Sequence, residues 1–419
     1  MHVSYSLRRT SRSVLVVILL SAFMLVSYSC GDNNGDSSTK SGLKFVESFE
    51  GGNRYLTPNG IYPILNLFGS WEEMGRQYGY LLRDQLREFH DEISSDLASR
   101  GVGYEAQVEA ATALSAAFST EIYEIMEGIV ETSGLTRDEV LVVNAGMILL
   151  TNAVLGGEPP SACSGIAAWG DYTPYGTLVF GRNWDINREA MIKYMKYLGV
   201  VVFHPLEGLA VANIHPIGNL YLETGMNETG LFLELNNGEQ SDSGFDPQAD
   251  DTSSVLLSVL ASCSTMDEAF AMLKATPADL AYIIQLADSS QAVSVERATF
   301  GCRIREGKYP GLLAAYNSFV PPYPPEWEGL VNPPPPVTQD PRLENLWNTA
   351  NSSEFKGNFD VRGMMRFMGL SMEDGGAVHA GTVIQVIAVP ETRTIWLHGL
   401  DYSDWEQVDL GLLFDASHS

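Results

Sequence analysis

Apolar residues along the chain fall first at helical and then at strand spacing. Met74, Tyr78, Leu81, Leu82, Leu86, Phe89 and Ile93 recur every three or four residues, which puts one apolar stripe on a helix. Ser70, with Glu73 three residues on, reads as the capping box that starts it. A second helical stretch, rich in Ala and Glu, runs from about Tyr104 to Thr132. A third opens on another box, Thr136 to Glu139, and continues to about Asn152. Residues 61–155 are therefore predicted to be mostly helical. Gly156 to Pro160 break the pattern.

After Cys163 the chain turns to alternating or β-branched runs separated by turn residues. The predicted strands are Ile166–Trp169, Thr177–Gly181, Val200–Phe203, Leu209–Ile214, Leu231–Leu235, Tyr282–Leu286, Ala292–Glu296, Leu312–Tyr316, Thr382–Val389 and Thr394–Leu397. Two helices over about Ser253–Ala275 interrupt them. Nine prolines between Val320 and Pro341 cannot join a ladder and predict an extended surface loop, of the kind that forms a lid or rim. Hairpin-linked strands with grouped helices predict an α+β architecture of two packed antiparallel sheets rather than an alternating parallel fold.

The amino terminus carries a different signal. Arg8, Arg9 and Arg12 precede an apolar stretch, Val14 to Val26, and then Ser27-Tyr28-Ser29-Cys30. Charge, short apolar core and small residues at the cut are the order of a secretory signal over residues 1–29. The apolar run is short of the roughly 20 residues a spanning helix needs. Small residues ending at a Cys resemble a bacterial lipoprotein signal, which implies a lipid anchor on Cys30 and an exported, membrane-held protein. Residues 30–45 read as a flexible tether. The alternative is plain secretion with Cys30 incidental.

Composition narrows the partners. The 419 residues carry 25 Lys and Arg against 52 Asp and Glu, a net charge of −27, which disfavours nucleic acid and anionic lipid headgroups. Four cysteines are too few for a disulfide scaffold. Cys263 and Cys302 are the first pair to consider for a bridge, with inert buried thiols as the alternative. No zinc-type spacing or other cofactor signature is present.

The composition boundary falls on a cysteine. Cys163 would be the first residue of the first strand, and Gly181-Arg182-Asn183-Trp184-Asp185 ends the next strand-like run. A hairpin between the two brings Arg182 and Asp185 beside Cys163. A free thiol near pKa 8.5 is only slightly ionised at neutral pH, and a neighbouring Arg lowers that value. A carboxylate can hold a protonated amine. If the bond Ala162–Cys163 is cut, the new amine, with a pKa of about 7.7–8.0, can take the proton of its own thiol.

A Cys opening a strand, followed by Gly-Arg-Asn-x-Asp on the next, resembles the cysteine branch of the N-terminal-nucleophile hydrolases. That branch includes choloylglycine hydrolases, acid ceramidase and the C45 acyl-CoA:6-aminopenicillanic acid acyltransferases. Gly69 to Gly79 (GSWEEMGRQYG) is similar to the opening segment of C45-type and phospholipase B-like proteins; Gly225–Leu231 and Ala315–Phe319 are similar to further family strings. The resemblance covers about residues 61–400. It implies an αββα four-layer sandwich, residues 163–419, behind a helical pro-segment, residues 46–162, that self-cleavage leaves either bound or released. It implies Cys163 as nucleophile and new terminus, Arg182 and Asp185 as its supports, and an oxyanion hole from an Asn amide and a backbone N–H. Asn236 or Asn237, with Asn317, are the candidates, and Arg342 stands where many members keep a further Arg. The substrate class implied is a small-molecule N-acyl amide, cleaved or transferred through a thioester.

Other assignments use the same residues. Cys163, His379 and Asn317 could form a papain-like set, although papain-like enzymes place the nucleophile at a helix start. His379 otherwise reads as a loop or pocket-wall residue, and His204 and His215, beside Pro205 and Pro216, as structural. A phospholipase B-like lipid hydrolase and an uncleaved binding lipoprotein are the alternative functions on this fold.

Overall fold

The computed structural model describes residues 42–155 and 163–416. The secretory signal, Cys30 and Ala162 lie outside the described residues. Three strands open the described chain: β1 (Lys44–Phe49), β2 (Gly52–Leu56) and β3 (Pro63–Gly69). Five helices follow: α1 (Trp71–Leu81), α2 (Arg83–Ser99), α3 (Tyr104–Ser115), α4 (Thr120–Ser133) and α5 (Arg137–Leu155). Next come β4 (Ser164–Gly170), β5 (Gly176–Asp185), the short α6 (Arg188–Met191), β6 (Leu198–Pro205), β7 (Val211–Pro216), β8 (Thr224–Asn227) and β9 (Phe232–Asn237). Helices α7 (Thr252–Ser262) and α8 (Met266–Ala275) lead to β10 (Tyr282–Ala287), β11 (Ala292–Ala298), β12 (Gly301–Arg305) and β13 (Leu312–Ala315). The Pro-rich loop then gives way to α9 (Arg342–Ala350), α10 (Val361–Met368), β14 (Thr382–Val389), β15 (Thr394–Gly399), β16 (Glu406–Asp409) and α11 (Leu410–Phe414).

The strands form two sheets. One has ten strands in the order β1-β2-β3-β6-β7-β8-β9-β10-β11-β12, the other six, β13-β4-β5-β14-β15-β16. They pack face to face: the rings of Phe180 on β5 and Phe232 on β9 lie 4.9 Å apart. Helix α10 covers the outer face of the six-stranded sheet, where Gln385 Nε2 donates to Met368 O at 2.6 Å. The α1–α5 layer docks on the ten-stranded side, where Gly218 N donates to Tyr78 Oη at 2.6 Å and Leu220 N to Asn144 Oδ1 at 2.8 Å. The molecule is the αββα sandwich of two sheets that the sequence implies.

Three differences have physical reasons. Residues 63–69, expected as the beginning of the helical region, form a strand buried on both sides, so its run Pro-Ile-Leu-Asn-Leu-Phe lacks the alternation that marks a half-exposed strand. It pairs in parallel with β6, Ile64 opposite Val200, an exception to the antiparallel expectation that the long excursion through α1–α5 and the β4–β5 hairpin makes possible. Residues 44–69, expected as the end of the tether and the start of the helical pro-segment, thus build three strands of the larger sheet. The helical stretches also subdivide, at Leu82 and again before Thr120. Both capping boxes form: Glu73 N donates to Ser70 Oγ at 3.2 Å, and Glu139 N to Thr136 Oγ1 at 3.3 Å.

The GSWEEMGRQYG string has a packing reason. Helices α1 and α4 cross so closely that a methyl on Gly75 would run into the carbonyl of Ile125, and one on Gly128 into the backbone of Glu72 and Arg76. Thr132 Oγ1 donates to Arg76 O at 2.6 Å across the same contact. At an exposed helical site Gly→Ala stabilises by up to about 1 kcal/mol. Here Gly128→Ala should have the opposite sign, destabilising by about 1–3 kcal/mol through overpacking. The measurement is the midpoint of urea unfolding, which an unchanged or raised value would contradict.

Candidate active site

Cys163 stands immediately before β4, buried, with its sulfur 4.0 Å from the carbonyl oxygen of Asp185. The β4–β5 register sets Ser164 opposite Asn183 and Gly165 opposite Arg182, so the hairpin brings Arg182 and Asp185 to the thiol. Gly165 must lack a side chain, because Glu234 and Gln285 of the facing sheet occupy the space a Cβ would need.

Arg182 crosses between the sheets. Its Nη1 donates to Glu223 O at 2.7 Å, its Nη2 to Leu235 O at 2.9 Å, and its Nε lies 3.2 Å from Glu234 Oε2. Asp185 is 1 % exposed, yet neither carboxylate oxygen has a hydrogen-bond partner among the described residues. His379 Nε2 lies 3.4 Å from its Oδ2. Because His379 Nδ1 accepts from Gly381 N at 2.9 Å, a neutral His379 ring carries its proton on Nε2, toward Asp185. The papain-like set does not form: His379 faces the Asp185 carboxylate.

Asn317 Nδ2 donates to Asn237 O at 2.9 Å, and its Oδ1 accepts from Arg342 Nη1 at 3.2 Å. The same Nη1 donates to Cys163 O at 3.2 Å. Asp340 holds the guanidinium from behind, accepting from Nε at 2.9 Å and Nη2 at 2.6 Å. Arg342 thus fixes the backbone of the nucleophile candidate. At the end of β9 the two adjacent Asn side chains part. Asn236 is fully buried, with Nδ2 donating to Glu234 Oε1 at 2.9 Å. Asn237 borders a cavity of about 630 Å³ that Cys163, Asp185, Trp184, Tyr221 and Tyr282 also line.

Burial dominates the electrostatics. It pushes the Cys163 thiol up to about 12, with Arg182 pulling the other way and the Asp185 charge adding to the rise. Burial likewise pushes Glu234 up to about 7 against the pull of Arg182. Burial pushes Glu223 up as well, but His215 Nε2 at 3.0 Å, with Arg182 and Trp184, outweighs it and holds the carboxyl below the usual range. Asn219 Nδ2, 2.8 Å from His215 Nδ1, leaves Nε2 as the ring's donor.

Glu223, Glu234, His215 and Asp340 escaped the sequence reading as site residues. Glu234 left the clearest trace, a lone carboxylate inside the apolar run Leu231–Leu235. His204, read as structural, bonds Asn66 Oδ1 at 2.7 Å and stacks on Phe68. Cys263 and Cys302 are both free, so no bridge joins them.

Glu234 has a consequence for stability. Its proton is held to about 7 in the folded protein against 4.5 ordinarily. Between those values the native state binds more protons than the unfolded chain, so stability falls as pH rises through the window. Asp251, pushed up to about 6 chiefly by burial, adds to the same slope. Glu234→Gln should make the decline in unfolding free energy from pH 4.5 to 7 shallower; an identical slope would contradict the assignment.

The family model of acyl-coenzyme A:6-aminopenicillanic acid acyl-transferases matches residues 173–350, a span that holds Arg182, Asp185, Asn236, Asn317 and Arg342 and begins after Cys163. No curated protein matches the chain. Among solved structures, a Caenorhabditis elegans N-acylethanolamine-hydrolyzing acid amidase ortholog aligns at 17% identity and TM-score 0.40, over 57% of this chain and 96% of its own. A mutant conjugated bile acid hydrolase from Clostridium perfringens aligns at 16% and 0.39, over 61% and 95%. A penicillin V acylase from Agrobacterium tumefaciens aligns at 12% and 0.36, over 59% and 86%. Residues 173–350 are thus similar to the acyl-coenzyme A:6-aminopenicillanic acid acyl-transferase family, the resemblance to which the motifs point.

Proposed function

We propose that this protein is an exported, lipid-anchored cysteine amidohydrolase or acyltransferase that matures by cutting its own Ala162–Cys163 bond. One observation carries the reading: a buried carboxylate, Asp185, with no hydrogen-bond partner among the described residues, beside a buried thiol pushed up to about 12. Such a thiol is a poor nucleophile, and a buried carboxylate without a hydrogen bond is costly, with His379 Nε2 standing off at 3.4 Å. Cleavage remedies both, because it creates an ammonium at Cys163 next to Asp185.

In the maturation step, the Cys163 sulfur attacks the Ala162 carbonyl carbon, the C–N bond breaks, and the Cys163 nitrogen takes the proton. Water then hydrolyses the resulting ester of the thiol, leaving the Ala162 carboxylate and a free thiol. In the reaction proper, the neutral amine accepts the thiol proton and the sulfur attacks the carbonyl of an N-acyl amide. Arg182 adds a positive field at the sulfur, and Arg342 holds Cys163 through its carbonyl. The oxyanion meets donors at the end of β9 or on Asn317, each worth about 2.7–4 kcal/mol in comparable sites. The leaving amine takes the proton from Cys163, and water or a second amine releases the acyl group from sulfur. The lipid anchor on Cys30 rests on the order of residues 8–30.

Intact-mass analysis should find two fragments, one beginning at Cys163, and Cys163→Ala should stay whole. An uncut, fully active wild type would refute the mechanism. In the matured protein Cys163 should alkylate at pH 7–8 well before Cys302, whose thiol burial pushes up to about 11. Equal labelling would instead favour an uncleaved binding module. Hydrolysis of N-acyl amides in preference to phospholipids separates this function from a lipid hydrolase.

A further inference from the structure

The cavity beside Cys163 has a marked chemical bias. Glu223, Glu239, Asp246, Asp250, Asp251 and Asp279 line it together with Asp185, and no Lys or Arg among the described residues does. Elsewhere on the molecule acids are commonly paired: Arg76 bridges Glu50 and Glu131, and Lys196 bridges Glu88 and Glu92. Among the described residues no ion pair involves Glu239, Asp246, Asp250, Asp251 or Asp279. Asp251 and Asp279 instead accept from hydroxyl and backbone donors, Ser254 N at 2.8 Å and Thr252 N at 3.2 Å. The cations nearest this acid wall stand behind it: Arg182, whose Nη1 donates to the backbone carbonyl of Glu223, and Arg297, whose guanidinium donates to Thr252 Oγ1 at 2.5 Å.

A second feature points to a ligand. The cavity extends to the nucleophile candidate, and the carboxylate of Asp185, 1 % exposed and without a hydrogen bond among the described residues, borders the same space. Its walls also carry the rings of Tyr221, Tyr282 and Trp184, and aromatic faces beside carboxylates attract organic cations. Uncompensated negative charge in a partly desolvated cleft concentrates cations and repels anions. Burial, opposed by the bond from Ser253 and reinforced by Asp279, pushes Asp251 up to about 6, a strain that an incoming cation relieves.

We propose that the substrate is an N-acyl amide bearing a protonated amine, held by this acid- and aromatic-lined wall, and that carboxylate-bearing amides are rejected. This rests on the amidase reading for the scissile bond but not for the preference in binding. The ammonium belongs to the part of the substrate that fills the cavity, on the acyl or the amine side of the bond.

The test uses the matured wild type and matched hexanoyl amides whose acyl terminus is methyl, ammonium or carboxylate, with a second series placing the same groups on the amine side. In at least one series kcat/KM should rank ammonium above methyl above carboxylate, the extremes differing by roughly tenfold or more. The preference should shrink when salt rises from 0.1 M to 1 M, as the screening length falls from about 10 Å to about 3 Å. Glu239→Gln with Asp250→Asn, both at the solvent-accessible rim, should narrow the ratio. Equal rates in both series, or a preference for carboxylate, overturn the proposal and leave the amidase reading standing. Calorimetry on Cys163→Ala separates the two failures. Hexane diamine binding more tightly than adipate supports the cation wall even if no amide is cleaved, and equal or reversed affinities overturn it.

Discussion

The guanidinium of Arg182 ties the candidate site together. It leaves β5, crosses the space between the two sheets, and ends on the carbonyls of Glu223 and Leu235 and beside the Glu234 carboxylate. Those contacts fix the distance between the hairpin that carries Cys163 and the edge of β9 that carries Asn236 and Asn237. Arg182 is therefore a structural tie as well as an electrostatic influence on the thiol. Removing one partner of a buried pair of this kind costs about 3–5 kcal/mol, so fold and chemistry are not separable at this position.

Around that tie the charges are unbalanced in a way that gives the precursor a direction. Glu234 and Asp185 are buried, Glu223 is held charged with His215 beside it, and Arg182 pairs with the Glu234 carboxylate. Arg342 is already committed to Asp340. A new ammonium at Cys163 supplies the missing positive charge at Asp185. The same step turns a thiol without a base into one with a base attached through three bonds.

Much of this was legible in the sequence because it rests on local rules. The spacing of Cys163, Arg182 and Asp185 is a hairpin register, and a hairpin is a short-range object. The capping boxes at Ser70 and Thr136 are likewise local. What escaped was set by distant contacts. Pro63–Gly69 is buried on both faces, and its pairing with β2 and in parallel with β6 has no signature near residue 63. The parting of Asn236 and Asn237 depends on which face of β9 meets Arg182, the face that carries Glu234. His379 could be placed near a pocket, but its pairing with Asp185 required knowing where β14 lies beside β5.

The central claim is that acyl groups pass through the sulfur of Cys163 at a newly made amino terminus. The most direct measurement is acid quenching of the protein during turnover of an N-acyl amide, followed by mass mapping of the peptides. The account requires the acyl mass on a peptide whose first residue is Cys163, lost on treatment with hydroxylamine. Turnover with the acyl group on any other residue, or on Cys163 still joined to Ala162, would contradict it.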